Sequence, residues 1–199
     1  MLPGEIVDRV AIAVGNRVIT SSDLERDIRV AAFLNGSKPE FSPAERHASA
    51  DRLTDQLLIR IELENSGYKL PDAKEVEPSI EELKKRFEGA AAFEESLLEH
   101  GVTLQQLTDA LIWQRAFLLF VDERFRPAVQ VDEKEIAAYF DTVVAPKARV
   151  ARPEQEPTLD EFRTQIEEAI AGKRVDEELN KWLQAKRRMR MLIFPEVFK

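Results

Sequence analysis

Met189-Arg190-Met191-Leu192-Ile193-Phe194 is a strand-like run with no neighbour in sequence able to pair with it. Met189, Met191 and Ile193 alternate with Arg190, Leu192 and Phe194, and Pro195 stops the run because proline has no amide hydrogen for a ladder. The other strand-like segments, residues 6–14 and 17–19, lie at the opposite end of the chain. The two-residue period puts Ile6, Val10, Ile12 and Val14 on one side of the first segment and Val7, Arg9, Ala11 and Ala13 on the other. Gly15-Asn16 suits a type II′ turn, with the glycine supplying the positive φ at the first central position. A lone hairpin is marginal in water, so the terminal run is expected to join it as a third strand. The region between the termini is then one excursion, and the fold class expected is mostly α: a multi-helix body with a small antiparallel sheet formed by the N-terminal hairpin and the C-terminal strand.

The helices of that excursion are marked by their starts. Ser42 with Glu45, Thr103 with Gln106, Asp132 with Glu135 and Thr158 with Glu161 each place a side-chain acceptor three residues before an acid or amide, the spacing of a capping box. Pro43 suits a first helical turn. For the first helix Ser22 with Glu25 competes with Thr20 and Ser21 as the cap. The helix after Pro43 carries Leu53, Leu57, Ile61 and Glu64 on one line with Leu58 beside it, and Gly67 ends it. Residues 76–87 and 93–98 read as shorter helices parted by Gly89. The strongest helix, from Thr103 to about residue 125, has an apolar face wide enough for burial on more than one side. A short helix over 132–143 follows. Residues 144–157 hold Pro146, Pro153 and Pro157 with little periodicity and read as a linker or extended loop. Beyond it Phe162, Ile166, Ala169, Leu179 and Leu183 recur in helical register, Trp182 is the expected anchor, and Gly172 is expected to leave the helix continuous or slightly kinked.

The chain has 199 residues, 44% of them hydrophobic, and a formal net charge of -8. That is enough apolar content for one sizeable core or two small linked ones. The acidic balance opposes tight non-specific binding to nucleic acid, which needs concentrated Lys and Arg. The basic cluster Lys186-Arg187-Arg188 with Arg190 is read as interacting with a helix C-terminus, with a nucleic-acid or lipid patch as its alternative. No stretch approaches the roughly 20 apolar residues of a membrane span, so no stable membrane insertion is expected. The sequence contains no cysteine, which excludes disulfides and thiolate ligands and suits the oxidising envelope as well as the cytosol. Met1-Leu2-Pro3-Gly4 is too short and uncharged for a signal peptide, leaving a cytoplasmic chain or one whose leader has been removed.

Two stretches carry a family likeness. Residues 6–24, Ile-Val-Asp-Arg-Val-Ala-Ile-Ala-Val-Gly-Asn-Arg-Val-Ile-Thr-Ser-Ser-Asp-Leu, look like the opening hairpin and first helix of the SurA-family periplasmic chaperones. Val175-Asp176-Glu177-Glu178-Leu179-Asn180-Lys181-Trp182-Leu183, running on through Lys186 to Ile193, is similar to that family's last helix and returning strand. Residues 53–70, 103–123 and 131–139 resemble its helical body in order and spacing. The resemblance covers nearly the whole chain and implies an ATP-independent holdase for unfolded or extended segments of envelope and outer-membrane proteins, acting in the periplasm after loss of a signal peptide. It implies residues 1–143 as hairpin and helical body, 144–157 as a linker, and 158–199 as the helix and strand completing the same domain. The departure is the linker itself: relatives carry parvulin-type isomerase domains there, and a domain needs at least roughly 50 residues.

Neither His47 nor His100 has a neighbouring set suited to acid-base work, and no compact ligand spacing for a metal occurs, so neither an enzyme activity nor a cofactor is expected. No glycine-rich phosphate loop follows a strand. The peptide-binding candidates are Phe33, Leu34, Phe41, Phe87, Phe93, Leu97, Trp113, Phe117 and Phe120, which cluster at helix edges and turns or overfill a helical stripe. Core packing competes with ligand contact at each of them. The client is expected between the helix starting near Thr103 and residues 87–98, with the terminal helix as a wall. The alternative function is a non-catalytic assembly or adaptor subunit. The chain is expected to be a monomer, or a homodimer that exchanges its last helix and strand.

Overall fold

The computed structural model describes residues 8–198, without the side chains of Met189 and Arg190. The order of elements is β1 (Val10–Val14), β2 (Arg17–Thr20), α1 (Ser21–Asn35), α2 (Pro43–Asn65), α3 (Ala73–Lys84), α4 (Ala90–His100), α5 (Leu104–Arg124), α6 (Glu133–Tyr139), a π-helical turn Phe140–Val144, α7 (Ala145–Ala151), α8 (Leu159–Arg190) and β3 (Met191–Ile193). These form two compact units. One runs up to Leu118 and resumes at Leu183; the other is Leu119–Trp182.

The first unit contains the sheet, with strand order β2-β1-β3 and both pairings antiparallel. Gly15 has φ +61° and Asn16 does not have positive φ, as a type II′ turn requires. Ile12 faces Ile193 and Val14 faces Met191, and the Phe194 amide donates to the Ala11 carbonyl at 2.9 Å. The two ends of the chain thus build one sheet, as their patterns predict. Ile6 and Val7 lie outside the described residues. The terminal strand starts later than its alternation suggests, because α8 continues to Arg190. A register irregularity between Val10 and Ile12 turns Val10 outward, so Ala11, Ile12 and Val14 are buried while Val10 is exposed.

Thr20 wins the competition to cap α1. Its hydroxyl accepts the Asp23 amide at 3.3 Å, and the Asp23 carboxylate accepts the Thr20 amide at 3.0 Å. Ser49 and Thr54 lie fully inside without a solvation penalty, because Ser49 donates to the Leu24 carbonyl at 3.1 Å and Thr54 to its own helix at Ala50. Val76, Ile80, Phe93, Leu97, Val102, Leu107 and Leu111 close with Val30 and Phe33 into a core joining α1, α3, α4 and α5. The α8 end is tied to α2 by charge: Lys186 reaches Glu62 at 2.8 Å, and Arg187 spans Asp51 and Asp55, both at 2.8 Å. Of the basic cluster, Lys186 and Arg187 therefore face carboxylates of α2.

The second unit has its own apolar centre. Trp182 meets Phe120 with ring centres 5.6 Å apart, Phe125 meets Trp182 at 6.4 Å, and Ile136, Ile166, Val175 and Leu179 are buried. Asp132 caps α6 with a complete capping box, and Arg163 and Arg174 bind Glu133 and Glu135. The expected extended loop over 144–157 is corrected: the π turn and α7 carry helix through Ala151, and Pro146 is tolerated because it occupies the first turn of α7. Gly172 leaves α8 unbroken.

Candidate functional site

In the first unit an open groove of about 1310 Å³ is lined by α1, α2, α3 and α5, with Val18 and Ile19 of β2 also contributing. Its apolar lining comes from Val30 and Leu34 of α1, Leu53 and Leu57 of α2, Leu83 of α3, and Leu111, Trp113 and Phe117 of α5. The residues arrive there by helical period. Leu53, Leu57 and Arg60 recur on one line of α2, while Thr54, Leu58 and Ile59 turn into the interior. Trp113 and Phe117, four residues apart, share one line of α5 in the same way.

The polar lining is largely spoken for by neighbours. Arg26 pairs with Asp23 at 3.0 Å, and Arg52 grips Asp27 through Nε at 3.1 Å and Nη2 at 2.7 Å. Arg60 lies over the Trp113 ring, its guanidinium carbon 4.7 Å from the ring centre, and burial holds its pKa below the ordinary arginine value. The result is a trough of aliphatic and indole surface interspersed with both signs of charge. Such a surface takes an apolar chain segment through many modest contacts without fixing its register.

The nine sequence-derived binding candidates divide among four places. Leu34, Trp113 and Phe117 line the groove. Phe33, Phe93 and Leu97 are buried core, and Phe87 stacks on Phe33 with ring centres 5.8 Å apart. Phe120 belongs to the aromatic centre of the second unit, and Phe41 is surface-exposed with Arg29 over its ring. The cleft expected between the Thr103 helix and residues 87–98 is therefore closed by packing: Phe87, Phe93, Leu97 and Leu107 fill it. The open space lies between α5 and α1, α2 and α3 instead. Sequence reasoning missed Leu53, Leu57 and Arg60 as lining residues. Their signal was an apolar line on α2 adjacent to a second one, more than a single buried face needs.

Both histidines have structural neighbours. His100 in the last turn of α4 contacts the carbonyls of Ser96 at 2.7 Å and Ser37 at 3.0 Å, linking the ends of α4 and α1. His47 stacks on Phe198, ring centres 4.5 Å apart. Among the described residues no group of three or more His, Asp or Glu side chains is arranged to hold a metal, and no helix is long and apolar enough to cross a membrane. The chain matches no protein-family model and no curated protein.

Proposed function

We propose that the protein is an ATP-independent holdase which keeps unfolded or extended segments of envelope and outer-membrane proteins in the α1-α2-α3-α5 groove. The observation that carries this reading is the groove itself: a trough of about 1310 Å³ lined by aliphatic, indole and phenyl groups together with charged side chains of both signs. Burying a Leu or aromatic side chain there supplies roughly 1.5 to 3 kcal/mol before ordering costs, so two or three such contacts give reversible capture. The likeness of both chain ends to the SurA family supports the same reading and a periplasmic location. On this view the isomerase-bearing insertion is replaced by the short 144–157 segment, and the protein holds its client without prolyl isomerisation.

The test is capture of a urea-unfolded outer-membrane protein diluted into buffer, with light scattering reporting aggregation. Photoreactive side chains at Gln56 and Gln114 in the groove are compared with one at Glu95 on the exposed side of α4. Suppressed scattering with cross-links concentrated at 56 and 114 is the expected result. Unchanged scattering, or labelling mainly at 95, sinks the proposal.

A further inference from the structure

The charges lining the groove are four arginines, Arg26, Arg52, Arg60 and Arg86, and four acids, Asp23, Asp27, Glu82 and Asp109. Seven of the eight have a hydrogen-bonded partner. Arg26 holds Asp23 and Arg52 holds Asp27; Lys85 holds Glu82; Gln105 donates to Asp109 at 2.8 Å; Arg86 donates to the Leu34 carbonyl at 3.2 Å. Arg60 is the exception, with no hydrogen bond or ion pair to another described residue. Asp109 and Glu64 attract it only at longer range, and Glu64 is itself gripped by Arg17 at 3.1 and 2.5 Å. The guanidinium carbon of Arg60 lies over the Trp113 ring, 4.7 Å from its centre, and the group carries five N–H donors. Arg60 thus presents a positive charge in the groove without a direct carboxylate partner among the described residues, and a planar carboxylate accepts two of its N–H groups at once.

Resting on the holdase reading of this groove, we infer that its preferred occupant is an extended polypeptide segment with an acidic side chain next to aromatic or aliphatic ones, the carboxylate bound by Arg60 and the apolar neighbours lying on Leu53, Leu57 and Phe117. Charge complementarity selects this occupant. A lysine-bearing segment meets repulsion at Arg60, and an uncharged one gives only neutral acceptors, whose hydrogen bonds are about half as strong.

The experiment uses extended peptides of alternating Phe and Ser, acetylated and amidated, with a neutral fluorophore and one central Glu, Gln or Lys, titrated against the full chain by fluorescence anisotropy. The Glu peptide is expected to bind about tenfold more tightly than the Gln peptide at low ionic strength, with the Lys peptide weakest. In Arg60→Gln the Glu and Gln affinities converge. In Arg60→Lys part of the preference returns, because the charge remains but the planar fork does not. A thermal melt of each variant verifies that it is folded. Equal Glu and Gln affinities in the unaltered chain, with both peptides still cross-linking to 56 and 114, overturn the acidic preference while the groove reading survives. A Glu preference persisting in Arg60→Gln also overturns it. Failure of every peptide to cross-link in the groove removes both.

Discussion

Asp8 and Ser22 decide how the helical part of the chain begins. Ser22 donates its hydroxyl to Asp8 at 2.5 Å and its amide at 3.2 Å, so the Asp8 carboxylate sits against the first turn of α1 beside the Thr20 cap. The hydroxyls of Ser22 and then Thr20 hold the Asp8 pKa down from 3.8 to about 2. A depressed folded pKa means a contribution present above pH 3.8 and lost as the pH falls through about 2. The carboxyl carbon of Asp8 is therefore expected to titrate by NMR with a midpoint near 2, and Ser22→Ala to raise that midpoint; a midpoint at 3.8 in the unaltered chain refutes the contact. Thr20→Ala is expected to cost about 0.5 to 2 kcal/mol in urea unfolding. The sequence left Thr20, Ser21 and Ser22 in competition because all three are good caps by residue type. Thr20 caps through its box with Asp23, and the Ser22 hydroxyl is taken by Asp8, fourteen positions earlier, a partner that local spacing does not show.

At the scale of an element, α8 is helix from Leu159 to Arg190 across a glycine. No atom outside the neighbouring helix backbone lies within 4 Å of a Cβ placed on Gly172, and its φ is not in the left-handed region. Gly172→Ala is expected to stabilise the protein by up to about 1 kcal/mol, since it removes backbone freedom from the unfolded chain and meets nothing in the folded one. A lowered melting temperature contradicts that. Helix starts were legible because capping chemistry is local: the boxes at Thr103 and Asp132 form as their spacing predicts. The fate of each apolar stripe was not legible. Leu53 and Leu57 on α2 look as buried in sequence as Leu58, and only the neighbouring helices decide that the first two line open space. For the same reason Phe93 and Phe117 looked alike as binding candidates, yet one is core and the other groove.

At the scale of the first unit, long-range charge and the closing strand act together. Arg187 links Asp51 and Asp55 of α2, with side-chain exposures of 28%, 68% and 29%. Given that exposure, a double-mutant cycle of Arg187→Ala with Asp55→Ala is expected to give a coupling no larger than about 1 kcal/mol, screened by salt. A coupling of zero at low salt shows the pair to be incidental. Deleting residues 191–199 removes β3 and the buried Val197 and Phe198, and is expected to cost about 3 to 6 kcal/mol in urea unfolding and to promote aggregation. The three-stranded sheet was the most legible feature, since neither terminal pattern has another partner; the groove was the least, because empty space is a property of several elements at once. The pairing of Ile12 with Ile193 also dictates timing. During synthesis from the N-terminus, β1 has only β2 beside it until nearly all of the helices have emerged, and its other edge stays open to intermolecular pairing throughout. The chain thus spends its own synthesis with an unsealed strand, and late acquisition of amide protection at β1 during refolding is the kinetic signature to seek.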